Sequence, residues 1–288
     1  MTSPHRGGVD RAPYRGADGD GGADRDGGAE RDGGGAPARR LDGVEDLLTL
    51  AAADAYVLAD ADPDRVFSVW AGRSGSFGWV VASRRVAGRG HLVALGPAGA
   101  AAALLVGVVA EDGTDIGSVS LPRDADRALP PTYVLDPRND WEWLWTGDAP
   151  PVHDREAAVD WLGADDMDDV RRLVTRWSLR HDAVPGAPGV LRWCGIRDGT
   201  GELVATAAHT EHRAGVPRLA SIVTHGGRRG QGLGAAVTTW LTRRLLDEGT
   251  GIVTLGMYSD NDVARRLYER LGFTCAHAFT SGRLVVRP

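Results

Sequence analysis

The sequence predicts an α+β (α/β) protein built on a mixed, mostly antiparallel sheet flanked by helices. Short apolar stretches that suit strands alternate with segments of helical periodicity. Turn signals such as Asp198-Gly-Thr-Gly201 join successive strands as hairpins. A glycine-rich loop from Thr224 to Ala235 lies between an apolar strand and an amphipathic helix. Together these observations predict a sheet with helical crossovers.

The chain of 288 residues is long enough for about two domains. Residues 1–40 are rich in Gly, Asp and Arg and contain an imperfect six-residue repeat, so we expect a disordered tail. Residues 41–150 have a globular composition and should form a first domain. Residues 151–288 should form the second domain, which contains the glycine-rich loop.

Composition excludes several classes of function. The formal net charge of -6 disfavours nucleic-acid binding. The 33 basic side chains are all arginine, which is typical of GC-rich coding as in actinobacteria. Two cysteines suit a reducing cytosol, and no apolar run reaches the ~18 residues of a membrane span. We therefore expect a cytoplasmic protein without nucleic-acid or membrane partners.

The first domain repeats the strand–turn–helix order of the glycine-rich region, without its glycine spacing. The predicted elements are a helix opened by Leu47, Leu48 and Leu50, paired strands over 66–70 and 78–82, a strand over 91–96 and a helix over 100–109. We interpret this domain as a degenerate copy of the second. Trp141, Trp143 and Trp145 alternate at strand period and predict a buried strand face that bridges the halves. A substrate-stacking platform is the alternative.

The second domain alternates between strands and helices. The predicted elements are a strand over 159–162, a helix over 165–180, strands over 191–197, 202–212 and 219–223, a helix ending at 248, a strand over 252–257, a helix over 262–271 and a final strand pair. Met167, Val170, Val174 and Trp177 fall at helical spacing and are expected to be core residues.

The glycine-rich loop predicts a site for a phosphorylated ligand. Backbone N–H groups at the start of a helix are unpaired, and the helix dipole favours negative charge there. Gly230, Gly232 and Gly234 allow a phosphate to approach the backbone closely. The loop also fits a dinucleotide-binding pattern, but only about fifty residues follow it, too few for that fold. The chain contains no lysine, which excludes a Walker A loop.

Two motifs resemble the GNAT acyltransferases. In the frame Arg229-x-x-Gly232-x-Gly234, the loop resembles the acyl-CoA loop of that family. Residues 261–273 resemble its second signature, N-x-x-A-x-x-x-Y-x-x-x-G-F, with Asn261, Ala264 and Tyr268 at the matching positions. The resemblance covers residues 191–273 clearly and extends loosely back to about residue 159. It implies a GNAT fold and, with the first domain, a tandem arrangement of two GNAT-like halves.

The resemblance also implies a ligand and its contacts. Acetyl-CoA would be the cosubstrate and an amine the acceptor, with no metal ion, in a monomer or homodimer. The strands equivalent to 219–224 and 252–257 would separate to admit the pantetheine arm. The residues implied in binding are Ile222, Val223 and Thr224 for the pantetheine amides, Arg229, Gly230, Gln231, Gly232, Leu233, Gly234 and Ala235 for the pyrophosphate, and Asn261 and Ala264 for the pantetheine arm.

By the same resemblance, Tyr268 would protonate the departing CoA thiolate. Helical spacing places Asn261, Ala264 and Tyr268 in one sector of the helix, away from an expected hydrophobic face at Val263, Leu267 and Leu271. That placement suits a tyrosine facing a ligand. The alternative is a tyrosine packed at a domain seam.

The general base is not evident. Many family members have a glutamate near the positions of Arg218 to Ala220, where this chain has no carboxylate. His209 and Glu211 alternate to one face of the preceding strand and are candidates, directly or through water. Alternatively they are exposed hairpin residues, or the amine arrives neutral and needs no base. Gly226 stands where proline is frequent in the family, which predicts a looser entry to the loop.

These observations predict an N-acetyltransferase that works by direct attack in a ternary complex. Neither Cys194 nor Cys275 is placed as an acyl carrier. One alternative is a mycothiol-synthase-type acetyltransferase, which has a similar tandem layout. Another is a non-catalytic acyl-CoA sensor, suggested by the missing glutamate. The acceptor is not identified; the loop from His181 to Gly189 is a candidate determinant.

Overall fold

The first described strand begins at Arg39. The computed structural model describes residues 39–50, 54–60, 62, 66–74, 76–84, 90–112, 116–213 and 215–287. The predicted tail lies outside the described residues as far as residue 38. Its last two residues, Arg39 and Arg40, instead pair with a strand of the sheet.

The first half of the chain supplies seven strands and three α-helices among the described residues. They are β1 (Arg39–Leu41), α1 (Val44–Leu50), α2 (Ala55–Asp60), β2 (Val66–Ser74), β3 (Ser76–Arg84), β4 (Gly90–Leu95), α3 (Ala98–Asp112), β5 (Ile116–Pro122), β6 (Tyr133–Leu135) and β7 (Asn139–Thr146). The predicted strand pair is β2 with β3, and the predicted strand–turn–helix unit is β4 with α3.

The second half of the described chain supplies seven strands and three α-helices. They are β8 (Val159–Leu162), α4 (Met167–Trp177), β9 (Val190–Arg197), β10 (Leu203–Glu211), β11 (Pro217–Thr224), α5 (Leu233–Asp247), β12 (Val253–Tyr258), α6 (Asp262–Arg270), β13 (Thr274–Gly282) and β14 (Leu284–Val286). The helix α4 ends three residues before the predicted boundary because Ser178 adopts an extended conformation.

Twelve of the described strands form one sheet, in the order β1-β2-β3-β4-β5-β13-β7-β12-β11-β10-β9-β8. Two neighbouring pairs are parallel, β4 with β5 and β11 with β12, and a helix crosses between the members of each pair. The other neighbours in this sheet are antiparallel. The predicted mixed, mostly antiparallel sheet flanked by helices is confirmed.

The two halves interlock at the centre of the sheet. The strand β7, from the first half, pairs with β12 and β13 of the second half. The strand β13 in turn pairs with β5 of the first half. Both edges of β13 are therefore occupied, so it cannot form the predicted final pair with β14. Instead β14 pairs with β6 in a separate two-stranded sheet.

The alternating tryptophans of β7 lie at this junction. Trp143 is fully buried, and Trp141 and Trp145 are partly buried against the same cluster, which also contains residues of α1 and α2. The ring of Trp141 stacks on Phe279 of β13, with ring centroids 4.7 Å apart. The prediction of a buried strand face that bridges the halves is confirmed, and the substrate platform is not needed to explain it.

Helices cover both faces of the sheet. On one face α1 and α2 pack beside α4, and on the other α3, α5 and α6 pack. Successive side chains of β7 point to opposite faces of the sheet, so Trp143 packs with α2 while Leu144 packs with α5 and α6. Val170 and Val174 of α4 are buried, and Met167 and Trp177 pack partly buried beside them, as the helical spacing predicted.

A buried ionic network ties α6 to β7. Glu142 is 5% exposed, and both of its oxygens accept hydrogen bonds from the Arg265 guanidinium of α6. Arg123 approaches the same carboxylate at 3.2 Å. Burial alone would raise the pKa of Glu142, but the hydrogen bonds and charges of Arg265 and Arg123 outweigh it and hold the pKa below its ordinary value.

Replacing Glu142 with glutamine should destabilise the fold by about 1–3 kcal/mol, since two guanidinium groups lose their carboxylate partner. Because the folded pKa of Glu142 is depressed, its stabilisation is present above the unfolded pKa of about 4.3 and is lost as the pH falls through the folded pKa. Urea unfolding of wild type and Glu142→Gln from pH 7 to pH 3 measures both effects.

The matched control is Asp168→Asn, which removes an exposed ion pair with Arg171. That change should alter stability by less than about 0.5 kcal/mol. Equal effects of the two substitutions would contradict a structural role for the Glu142 network.

Candidate active site

The parallel strands β11 and β12 separate soon after they begin. Their pairing consists of Arg218 with Thr254 and Leu219 with Leu255. We call the point beyond these pairs the fork. On its other side β11 remains paired with β10 as far as Thr224. The separation that the family resemblance implied is therefore present.

A bulge at Ser221 shapes the fork. This residue has a φ of 44°, which is uncommon for a residue with a side chain. Its hydroxyl donates to the Ala183 carbonyl at 2.8 Å and accepts from the Ala183 N–H at 3.0 Å. These two bonds offset the strain and attach the loop that follows α4 to the fork. The candidate acceptor loop from His181 to Gly189 is thus held beside the opening.

The three predicted pantetheine contacts lie beyond the fork. Ile222 and Thr224 are partly exposed, while the Val223 side chain is 4% exposed and packs toward α4. The strand register places no described strand against the β12-facing edge of this segment. Its backbone groups can therefore accept an extended ligand as an additional strand.

The glycine-rich loop leads from β11 into α5 through left-handed backbone. Gly230 and Gly232 both have a φ of 77°, a conformation that glycine adopts without steric cost. A Cβ at Gly230 would meet no atom within 4 Å, so the space in front of the loop is open. Gln231 between them is exposed. This conformation presents the backbone of the loop rather than side chains to the solvent.

The start of α5 supplies the N–H donors. Gly232 is its N-cap and has no side chain to cap the helix. The Ala236 N–H donates to the Gly232 carbonyl at 3.0 Å. The N–H groups of Leu233, Gly234 and Ala235 precede that bond, in the first turn where a helix has no internal acceptors. These N–H groups and the positive end of the helix dipole are the features that favour an anion at the start of α5.

The two arginines of the loop contact the protein itself. The Arg228 guanidinium donates to Asp198 at 2.6 Å, and the Arg229 guanidinium donates to the Trp177 carbonyl at 3.1 Å. Both side chains are still exposed enough to reorient. As the loop stands, its attraction for phosphate rests on backbone N–H groups more than on Arg229.

The packing of Trp177 explains why position 226 is a glycine. A Cβ built there would lie 2.1 Å from the ring of Trp177, so the ring occupies the space that a proline would need. The same ring packs against His225 with centroids 4.6 Å apart. The His225 ring nitrogen Nδ1 accepts from the Gly227 N–H at 3.1 Å. The predicted looseness at the loop entry is therefore wrong, because Trp177 fills the gap.

His153, which sequence reasoning missed, also lies beside the loop. A Cβ at Gly232 would come within 3.4 Å of its ring atoms Cε1 and Nε2. Its Nδ1 accepts from the Arg155 N–H at 3.1 Å, so in the neutral ring Nε2 carries the proton. The ring therefore directs an N–H toward the loop. About eighty residues separate it from Gly232, and no local pattern marks it.

The buried face of α6 differs from the predicted one. Tyr268 is 7% exposed and belongs to the main core cluster, with Ala264, Leu267 and Leu271 packed against it. Val263 is 73% exposed. The prediction that Tyr268 lies off a hydrophobic face including Val263 is therefore wrong. The side of α6 that carries Tyr268 packs with residues of α5 and β12 in this cluster.

Burial raises the pKa of Tyr268. The phenol therefore keeps its proton at neutral pH and can act as a donor but not as a base. Its ring packs near Phe273, with centroids 6.0 Å apart. The side chain lies on the face of α5 and α6, the helices whose cluster also contains Leu219 and Leu255 at the fork.

Asn261 has a structural role at the start of α6. Its side-chain oxygen accepts from the Ala264 N–H at 3.1 Å, so Asn261 is the helix N-cap. This capping bond explains the spacing of the first two signature positions. The side chain is exposed, which leaves its amide group accessible.

The two candidate bases on β10 are not exposed hairpin residues. His209 is 5% exposed, and its Nδ1 accepts from the Arg192 guanidinium at 3.2 Å. Burial, followed by the charge of Arg192, lowers the pKa of His209. Its Nε2 lies 3.6 Å from Glu211. Since the acceptor nitrogen is already occupied and the ring faces the Arg192 side of the sheet, His209 is poorly placed to take a proton at the fork.

An arginine occupies the position where the family commonly has a glutamate. Arg218 is 8% exposed, and its Nη2 extends over Gly256, where an added Cβ would lie 2.6 Å away. Its Nη1 is 3.4 Å from Nδ1 of His212, and Asp182 lies 3.6 Å from Nη2. The fork is therefore bordered on this face by a buried positive charge rather than a carboxylate.

Neither cysteine is placed to carry an acyl group. Cys194 is fully buried in β9, and burial raises the pKa of its thiol to about 12. Cys275 is exposed but lies on β13, opposite Leu144 of β7 and away from the fork. Both positions agree with the sequence prediction.

A comparison with protein families finds a match in the second half of the chain. Residues 154–273 match the model of the Acetyltransferase (GNAT) family, a span that includes the glycine-rich loop and the Tyr268 helix. This part of the chain is therefore similar to the GNAT acetyltransferases. A search of curated proteins found no match.

Several solved structures are similar to this chain. A GNAT-family protein from Novosphingobium aromaticivorans DSM 12444 is 22% identical over 73% of this chain and 89% of its own, with a TM-score of 0.50. A GCN5-related N-acetyltransferase from Kribbella flavida is 22% identical over 73% and 87%, with a TM-score of 0.48. A tandem GNAT protein from the clavulanic acid biosynthesis pathway is 14% identical over 85% and 98%, with a TM-score of 0.43. The fold of this protein is a GNAT fold.

Within the described part of the chain, no helix is both long and apolar enough to cross a membrane.

Replacing Gly226 with alanine should displace Trp177 and destabilise the protein by about 1–3 kcal/mol, because the new methyl group would overlap the ring. Thermal unfolding followed by tryptophan fluorescence measures the loss. The double variant Gly226→Ala/Trp177→Leu should recover part of it, since the smaller side chain makes room.

Gly227→Ala is the neighbouring control, because its Cβ would lie 3.4 Å from the nearest ring atom of His225. It should unfold close to the wild-type temperature. An unchanged unfolding temperature for Gly226→Ala would show that Trp177 does not constrain the loop.

Proposed function

We propose that this protein is an N-acetyltransferase that moves an acetyl group from acetyl-CoA to an amine. The observation that carries the proposal is the fork between β11 and β12, which opens directly beside the glycine-rich start of α5. One feature accommodates an extended arm that pairs with strand backbone. The other accommodates phosphate groups. CoA contains both parts, joined in this order.

The pantetheine arm would pair with the free backbone edge of Ile222, Val223 and Thr224. The pyrophosphate would accept hydrogen bonds from the backbone N–H groups of residues 230–235. The left-handed glycines support this proposal, since no side chain intervenes between the loop backbone and a phosphate. Arg229 would contribute if it left the Trp177 carbonyl for the phosphate. Ala264 and the exposed amide of Asn261 would lie along the arm.

Tyr268 would protonate the CoA thiolate as the acetyl group leaves. Its raised pKa means that the phenol holds a proton at neutral pH. Because a thiolate, with a pKa of about 8.5, is less basic than the phenolate, the transfer requires the two groups to be in direct contact while the charge develops. The amine would attack the thioester directly within a ternary complex, without an acyl-enzyme. The buried thiol of Cys194 and the remote position of Cys275 support the direct route.

We further propose that residues 41–150 derive from a second, degenerate GNAT-like half. The parallel pair β4/β5 with the crossover helix α3 has the same order as β11/β12 with α5. The first half has Pro97 and Ala98 at the entry to α3, where the second has its glycine-rich loop. CoA would therefore bind to the second half alone.

Acetyl-CoA and CoA should bind with a stoichiometry of one, and Gly234→Val should weaken that binding at least tenfold. A Cβ at Gly234 would lie 3.3 Å from Oγ1 of Thr224, and the valine would cover the N–H donors of the first turn. Tenfold corresponds to about 1.4 kcal/mol of binding free energy. Isothermal titration of both proteins measures it.

Gly99→Val is the matched control, because Gly99 is the second residue of α3 as Gly234 is of α5. A Cβ there meets no atom within 4 Å, so CoA affinity should not change. Absence of CoA and acetyl-CoA binding by the wild type at millimolar concentration would overturn the proposed function.

Tyr268→Phe should keep CoA affinity and lower turnover by about 10²–10⁴-fold, since it removes a proton donor without emptying the core position. Thiol release from acetyl-CoA, measured across a panel of primary amines, tests this prediction. A wild type that binds CoA but releases no thiol with any amine would favour the acyl-CoA sensor instead.

A further inference from the structure

A carboxylate–histidine pair joins the two halves beside the fork. Oδ1 of Asp60, the last residue of α2, lies 3.3 Å from Nδ1 of His212, which follows β10. The next residue, Arg213, donates to the Leu58 carbonyl of the same helix. Two contacts thus hold the end of α2 against the end of β10, so the relative position of Asp60 and His212 is constrained.

The pair orients the imidazole. Two groups approach Nδ1, and Asp60 is both the nearer and the one that can accept a proton, whereas Arg218 can only donate. Nδ1 therefore carries the proton, and Nε2 is left with a lone pair. The His212 side chain is 48% exposed, so a substrate can reach it.

Asp60 remains ionised in this arrangement. Burial raises its pKa, and the hydrogen bond and charge of His212, with the charge of Arg218, lower it further than burial raises it. A carboxylate behind Nδ1 stabilises the imidazolium that forms when Nε2 takes a proton.

Arg218 connects this pair to the fork. Its Nη1 is 3.4 Å from Nδ1 of His212, and its Nη2 extends over Gly256. Gly256 is the first residue of β12 beyond the pairing with β11. The guanidinium group of Arg218 therefore lies between His212 and the point where the strands separate, on the face of the sheet that α2 and α4 cover. The tethered loop at Ala183 borders the same face.

We propose that His212 is the general base of the acetyl transfer and that Asp60 of the first half is its positioning residue. This inference rests on the proposed function. Nε2 of His212 takes the proton of the attacking amine as its nitrogen bonds to the thioester carbon. The C–S bond then breaks, the thiolate receives a proton from Tyr268, and both residues exchange protons with solvent to regain their starting states. The degenerate half thereby completes the active site of the other.

The same helix provides a second pair for comparison. Asp54, just before α2, places both carboxylate oxygens 3.1 Å from Nε2 of His277 on β13. That ring packs against Phe279 and Tyr56, with centroids 5.5 and 5.6 Å away, and its side chain is 24% exposed. It joins the halves in the same way but lies away from the fork, so it is a matched structural control.

The test compares His212→Gln with His277→Gln. Thiol release from acetyl-CoA is measured with water alone and with phenethylamine, spermidine and lysine as acceptors, and CoA affinity is measured by titration. We expect His212→Gln to lower kcat/KM for the best amine by about 10²–10⁴-fold with CoA affinity unchanged. His277→Gln should stay within about threefold of wild type. Asp60→Asn should lower kcat with little change in KM.

Rescue separates catalysis from packing. Added imidazole should restore part of the activity of His212→Ala and none of that lost in Tyr268→Phe, because only the His212→Ala variant lacks the base.

If His212→Gln turned over like the wild type, or if imidazole failed to raise the rate of a folded His212→Ala, the assignment of His212 would fall while acetyl transfer stood. If the wild type bound CoA but released no thiol with any acceptor, catalysis and His212 would fall together. If the wild type bound no CoA, the proposed function itself would fail.

Discussion

The pairing of β7 with both β12 and β13 is the constraint on which the rest of the structure depends. This strand belongs to the first half of the chain yet completes the sheet of the second half, while β13 does the reverse. Neither half can separate without breaking four ladders of backbone hydrogen bonds, those of β7 with β12, β7 with β13, β5 with β13 and β6 with β14. The Glu142–Arg265 contact adds an ionic tie across the same junction. The interlock therefore fixes α2 above the central strands, and the position of Asp60 beside His212 follows from it.

The candidate site arises where this rigid sheet opens. Backbone pairing between β11 and β12 stops after two residue pairs, and a bulge at Ser221 turns the strand edge outward. Two contacts hold the β11 side of the opening: Ser221 attaches the loop after α4, and Trp177 fills the space beside Gly226. The glycines of the loop stay in left-handed conformations that expose N–H groups. A flexible ligand would thus meet a site that is already formed, which reduces the entropy lost on binding.

The sequence predicted the parts of this site that are local. The loop and the start of α5 follow from glycine spacing next to an amphipathic helix, and the strand–helix order follows from periodicity. It failed where a side chain's environment depends on distant segments. Tyr268 was expected on a polar sector of α6, yet α5 and β12 bury that sector. His209 and Glu211 were interpreted as candidate bases or as exposed hairpin residues, yet His209 is buried and its Nδ1 accepts from Arg192.

The sequence by itself determined the fold class, the glycine-rich loop at the start of α5 and the signature that resembles the GNAT acyltransferases, because periodicity and residue spacing along the chain specify each of them. Only the tertiary structure decided that the halves exchange central strands and that Asp60 meets His212. It also decided that the Trp177 ring occupies the space that a proline at position 226 would need. Asp60 and His212 are about 150 positions apart in the chain. Their meeting depends on which strands pair at the centre of the sheet, and backbone hydrogen bonds carry no sequence signal that specifies the partner.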